Sequence, residues 1–247
     1  MIRRHSFILT LGGLFLLLAA VTYAVHYAIF KDVHHILIYG VGDLAFLPLE
    51  VLIVVLVIEK ILARREKQAM LQKLNMVVGV FFMESGNYLL RDLLKYFKNR
   101  AEISGHLNVD NNRTKKDFKN AAAFALHLKA EVDYLNIDFP GLKAYLAGKR
   151  EFLLTLLENP ALLEHDLFTD LLWATTHLDE ELEARASFEG LPEHDLRHIA
   201  GDIQRLYDHL ASEWLDYIEH LKGKYPYLYS LVLRTHPFQK NPSPIVT

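Results

Sequence analysis

Residues 40–67 read GVGDLAFLPLEVLIVVLVIEKILARREK, an apolar run that holds two acids, Asp43 and Glu50, and ends in a basic cluster. About 20 consecutive apolar residues suffice for a helix to cross a bilayer. The run therefore predicts a transmembrane helix over residues 36–62, with Pro48 as a kink. An acid near the centre of such a helix costs about 3 kcal/mol and marks a functional position. Asp43 and Glu50 lie seven apart and so share one helix face.

Just before it stands a polar turn, KDVHH at residues 31–35, and before that residues 7–30 carry no formal charge. They predict a first span. A cleavable signal peptide competes, given the basic start MIRRHS and small residues at Thr22 and Ala24, but the apolar run continues past a typical signal core to Phe30. An antiparallel hairpin about residue 33 sets Asp43 near Tyr23 and His26. It sets Glu50 against residues 14–18, all apolar. Glu50 then needs protonation, a water-filled cavity or another subunit. Arg3, Arg4, Lys60, Arg64, Arg65 and Lys67 flank the outer ends of the two spans, and only Lys31 lies between them. This bias predicts a two-pass inner-membrane protein with both termini cytoplasmic. Tyr39–Asp43, YGVGD, has the look of a potassium-channel filter, but the spans lie too close for a pore helix, so its glycines read as packing positions.

Below the membrane the second span is expected to continue as one helix to residue 97. Leu71, Leu74, Val78 and Phe81 recur at helical spacing. Such a stripe serves either a coiled-coil seam between subunits or a helix lying on its own domain. Residues 98–116 read as a loop, polar and rich in Asp, Asn and Gly. Four helices follow, at 117–135, 142–157, 160–185 (with Asn159 as N-cap) and 193–222, then a short apolar segment at 225–233. The expected architecture is all-α: a transmembrane hairpin (1–63), a connecting helix (64–99), a loop (100–116), a cytosolic helical bundle (117–235) and a Pro-rich tail (236–247).

The chain has 247 residues, a formal net charge of −3 and no cysteine. Thiol chemistry and disulfides are excluded, and the lack of a basic stripe argues against nucleic acid. No Gly-x-Ser-x-Gly turn or phosphate loop occurs, so no catalytic set can be assembled. Trp173, Trp214 and the tyrosines of 225–229 read as core aromatics, with a membrane interface as the alternative for the tyrosines.

Histidine, present 13 times, offers more. His177 and Glu181 are four apart on one predicted helix, with Asp170 seven residues before His177. His198 and Asp202 are four apart on the next, with His209 seven residues after Asp202. An antiparallel hairpin about residue 189 sets His177 and Glu181 against His198 and Asp202, and Asp170 against His209. Two histidines and two carboxylates suit zinc, manganese or iron. The same residues also suit a ladder of interhelical salt bridges, and the spacing is not that of di-iron bundles. Glu164, His165, Glu213 and His220 extend these polar rows and read as solvated.

LNMVVGVFF at residues 74–82 and YPYLYSLVLRTHPF at 225–238 are similar to stretches of uncharacterised bacterial two-pass membrane proteins. The resemblance implies the same architecture and lends no activity. The expected function is a non-enzymatic, homo-oligomeric membrane scaffold or sensor, in contact with lipid and binding a cytosolic protein partner or ligand. Two alternatives stand beside it: an ion pathway lined by Asp43 and Glu50, and a divalent transition-metal function at the histidine–acid cluster.

Overall fold

The computed structural model describes residues 2–128, 131–160, 162, 165–239 and 241–246, with side chains from residue 10 onward. Arg3, Arg4 and Glu164 lie outside the described side chains. The chain divides into two units, Met1–Lys67 and Gln68–Thr247. The described residues are helical apart from turns and one isolated antiparallel bridge, Phe97 to Val132.

The first unit holds α1 (Ile2–Phe30) and the start of α2 (Val33–Phe81). Its turn is closed from both sides. Lys31 takes a left-handed backbone (φ 50°), and its N–H donates to the Tyr27 carbonyl at 2.8 Å, ending α1. Asp32 then caps α2 by accepting from the His35 N–H at 3.1 Å. Helix α2 runs on through Pro48. Leu, Ile and Val side chains of both helices are exposed on every face from Leu14 to Leu62. Both helices are long and apolar enough to cross a membrane.

The second unit is built around α8 (Glu193–Lys224), which packs against α3 (Asn87–Leu93), α5 (Lys115–Ala125), α7 (Asp166–Glu183) and α9 (Pro226–Thr235). Its inner face presents Ile203, Tyr207, Leu210, Trp214 and Ile218, all buried. Of the Leu71 stripe, Leu74, Val78 and Phe81 are fully buried in this same domain, so the row lies on its own core. The helix ladder loosens into a π turn at Phe82–Gly86, and the Tyr145 hydroxyl donates to the Ser85 carbonyl at 3.4 Å and to Ser85 Oγ at 3.2 Å. Glycine is required here because a Cβ at Gly86 would stand 2.4 Å from the Phe82 ring.

Several boundaries differ from the sequence expectation. A helix, α4 (Arg100–Leu107), forms inside the stretch read as loop, because Ile103 and Leu107 anchor one face of it in the core. Helix α5 starts at a Thr114/Asp117 capping box and stops at Ala125, not near residue 135. Beyond it the backbone pairs with residues 96–98: Lys98 N–H donates to the Glu131 carbonyl at 2.9 Å and Asp133 N–H to that of Tyr96 at 2.7 Å. Asp138 caps α6 (Phe139–Leu157) three residues earlier than expected. Helix α7 begins at Asp166 rather than residue 160, capped by His165 Nδ1, which accepts from the Phe168 N–H at 3.2 Å. Trp214 and Tyr229 are core, but Trp173, Tyr225 and Tyr227 stand exposed, Trp173 by 61%.

Candidate metal centre between α7 and α8

Helices α7 and α8 form an antiparallel hairpin whose connection turns at Gly190, held at φ +71°, a conformation glycine adopts without strain. Arg185 pins the hairpin. Its Nε and Nη2 donate to Asp195 Oδ2 and Oδ1 at 2.9 and 2.7 Å, and its Nη1 donates to Glu181 Oε2 at 2.8 Å. This fork fixes the register of the two helices. Hydrogen bonding to Arg185 holds the Glu181 and Asp195 carboxyls below the usual carboxylate range and raises the guanidinium above its own.

That register brings the two stripes together over Asp202. Its carboxylate is 2% exposed, and Oδ1 accepts from Arg205 Nη1 at 2.9 Å. Oδ2 has no hydrogen-bond partner among the described residues. Two imidazoles face that oxygen, His198 Nε2 at 3.5 Å and His177 Nε2 at 3.7 Å, while His198 Nε2 is also 3.7 Å from Glu181 Oε2. Glu181, His198 and Asp202 each offer a ligand atom within 4.8 Å of the others. His177 joins them through Asp202 and not as an equal fourth member. Metal–ligand bonds of ~2.0–2.2 Å give tetrahedral edges of about 3.3–3.6 Å. The histidine–carboxylate separations of 3.5–3.7 Å lie at or just beyond that range. Arg185 and Arg205 hold the two carboxylates in place, as outer residues around metal ligands do.

Asp170 and His209 do not join the cluster directly. They line a cleft of about 440 Å³ beside it, together with Trp173, Ala174, His177 and Arg205. The two arginines stand outside the histidine–acid pattern but carry a signal of their own in the sequence: Arg185 follows Glu181 by four residues and Arg205 follows Asp202 by three. Two residues expected to be solvated are not. His165 caps α7, and Glu213 is 2% exposed with its Oε1 3.5 Å from His165 Nε2.

The first unit holds a second polar cluster. Tyr23 and His26 of α1 share a cavity of about 350 Å³ with His35, Tyr39 and Asp43 of α2, the level expected for Asp43. His35 and Tyr39 were not foreseen, although both lie at helical spacing before Asp43. Glu50 is exposed, and no polar partner for it occurs among the described residues. No group of three metal-ligating side chains gathers there among the described residues, unlike at Asp202.

Fold and site together define an all-α protein with an apolar helical pair followed by a helical domain, which carries a histidine–carboxylate cluster at one interhelical seam. The comparisons with known proteins give the same two-part division. Residues 3–62 match the family model described as MJ1433, N-terminal helical domain, and residues 70–234 match that of the uncharacterized protein MJ1433, C-terminal helical domain. A relative from Methanocaldococcus jannaschii, "Uncharacterized protein MJ1433", is 43% identical over 236 residues, covering 96% of this chain and 94% of its own. The chain belongs to the MJ1433 family. This relative is archaeal, whereas the sequence resemblance was to bacterial proteins. No solved structure matches.

Proposed function

We propose that the protein is a membrane-anchored sensor whose helical domain binds a divalent transition metal through Glu181, His198 and Asp202, with His177 beside them. One observation carries the metal half of this reading: a carboxylate oxygen, Asp202 Oδ2, is buried without a donor and faced by two imidazole nitrogens. Burying a charged oxygen without a donor is costly, and a cation between it and the imidazoles relieves that cost. A pure salt-bridge ladder is the competing reading, favoured by the two arginines already on these carboxylates. Thermal unfolding of the full chain in mild detergent separates them. A metal at about 100 times its Kd adds roughly 2.7 kcal/mol to the folded state. Zinc, manganese or iron is expected to raise the Tm of wild type but not of His177→Ala/His198→Ala. An unchanged wild-type Tm with all three would leave only the ladder.

The membrane half rests on the two apolar helices, exposed on all faces. In water such surfaces are unstable, and in lipid they are the solvent-matched state. The helical domain then lies in the cytoplasm, in contact with a protein partner, and a second copy of the chain covers Glu50. A reporter fused after Thr247 is expected to score as cytoplasmic and one inserted near Val33 as external. An external C-terminal reporter would overturn the placement of the domain.

A further inference from the structure

We infer that the cleft beside the cluster binds a small oxyanion, a phosphate or a short carboxylate, held between the metal and the guanidinium of Arg205. This rests on the metal reading above and adds to it a ligand class. The cleft of about 440 Å³ is lined by Asp170, Trp173, Ala174, His177, Arg205 and His209. A volume of this order is typical of small-molecule sites. His177 belongs both to this lining and to the cluster, through its 3.7 Å approach to Asp202 Oδ2. The cleft therefore adjoins the cluster at two points, through His177 and through Arg205, which donates to Asp202 Oδ1.

Coordination leaves room for such a ligand. Among the described residues three side chains, Glu181, His198 and Asp202, gather within 4.8 Å, and three protein ligands with one open position are the pattern of zinc sites that accept an exogenous ligand. Arg205 supplies the second anchor. Of its five N–H donors, Nη1 is spent on Asp202 Oδ1 at 2.9 Å, while the side chain remains 57% exposed beside the cleft. A planar guanidinium with free donors matches the paired oxygens of phosphate and carboxylate. Among the residues lining the cleft, Asp170 is the one carboxylate and Arg205 the one guanidinium, so an oxyanion belongs on Arg205. The exposed indole of Trp173 forms an apolar lip suited to the organic part of a larger oxyanion.

The test uses the full chain in detergent, loaded with manganese, whose content is fixed separately by elemental analysis. Phosphorus relaxation of inorganic phosphate and carboxyl-carbon relaxation of acetate report binding next to the paramagnetic ion, and which of the two responds identifies the source. Enhanced relaxation is expected for at least one of them, with affinity falling at least tenfold in Arg205→Gln measured at a manganese concentration that saturates the variant. If Arg205→Gln loses its manganese, Arg205→Lys decides: a tenfold weaker oxyanion supports the inference and an unchanged affinity overturns it. Bound manganese with no enhancement, or the same affinity in Arg205→Gln, overturns the oxyanion site and leaves the metal reading standing. Failure of the wild type to bind manganese, zinc or iron overturns both.

Discussion

Glu213→Gln is expected to stabilise the helical domain by about 3 kcal/mol at pH 7 and to flatten its dependence on pH. Glu213 lies on the buried face of α8, 2% exposed, and its Oε2 has no hydrogen-bond partner among the described residues. Burial, helped by the charge of Asp216, pushes its carboxyl from 4.5 up to about 8. The nearest basic group does not reverse this. His165 Nδ1 already accepts from the Phe168 N–H, and burial lowers the imidazole below its ordinary value, so at pH 7 both members are neutral. The folded state therefore holds a proton that the unfolded chain has released. A folded-state pKa raised above the unfolded one contributes stability that is complete below pH 4.5 and is lost as the pH climbs to about 8. At 1.36 kcal/mol per pKa unit the full loss is on the order of 4–5 kcal/mol, with roughly 3 of it incurred by pH 7. Glutamine keeps the volume and cannot ionise. Guanidinium unfolding of the detergent-solubilised protein at pH 5 and pH 7.5 checks this. The wild type is expected to lose more stability between the two than the variant; equal losses would place Glu213 in a solvated setting.

Asp202→Ala is expected to lower zinc affinity by at least about 100-fold. Disturbing residues that merely orient metal ligands already costs about 10–100-fold, and Asp202 is the carboxylate on which both imidazoles and Arg205 converge. His198→Ala is expected to behave alike, since His198 Nε2 approaches both Glu181 and Asp202. His177→Ala should be milder, because His177 approaches Asp202 alone. Calorimetric titration of zinc into the three variants reads this order directly. Equal losses in all three would make His177 a full fourth ligand and leave no open position.

The sequence carried the register of this site because that register is simple geometry. His177 and Glu181 sit four apart, His198 and Asp202 sit four apart, and a short connection at Gly190 forces the two helices into an antiparallel pair. The same holds for Asp43 beside Tyr23 and His26, which follows from counting outward from the turn. Periodicity marks the core-facing side of a helix but not the fate of a single residue at its edge. Glu213 reads like any charged residue on α8, yet lies inside, and Trp173 reads as core, yet lies outside. Helix ends depart from the sequence pattern where a side chain or a paired backbone intervenes. His165 is an unusual N-cap, and the segment after Ala125 leaves the helix to pair with residues 96–98. The Leu74/Val78/Phe81 row read equally well as a seam between subunits, because a stripe of apolar residues does not name its partner.

The metal content of the full chain, purified in detergent from cells grown without added metal, bears most directly on the account. Near one equivalent of zinc, manganese or iron per chain in the wild type, and almost none in Asp202→Ala, is the expected result. A wild type that carries no transition metal and takes none up on titration would reduce the Glu181/His198/Asp202 cluster to a structural ladder between α7 and α8.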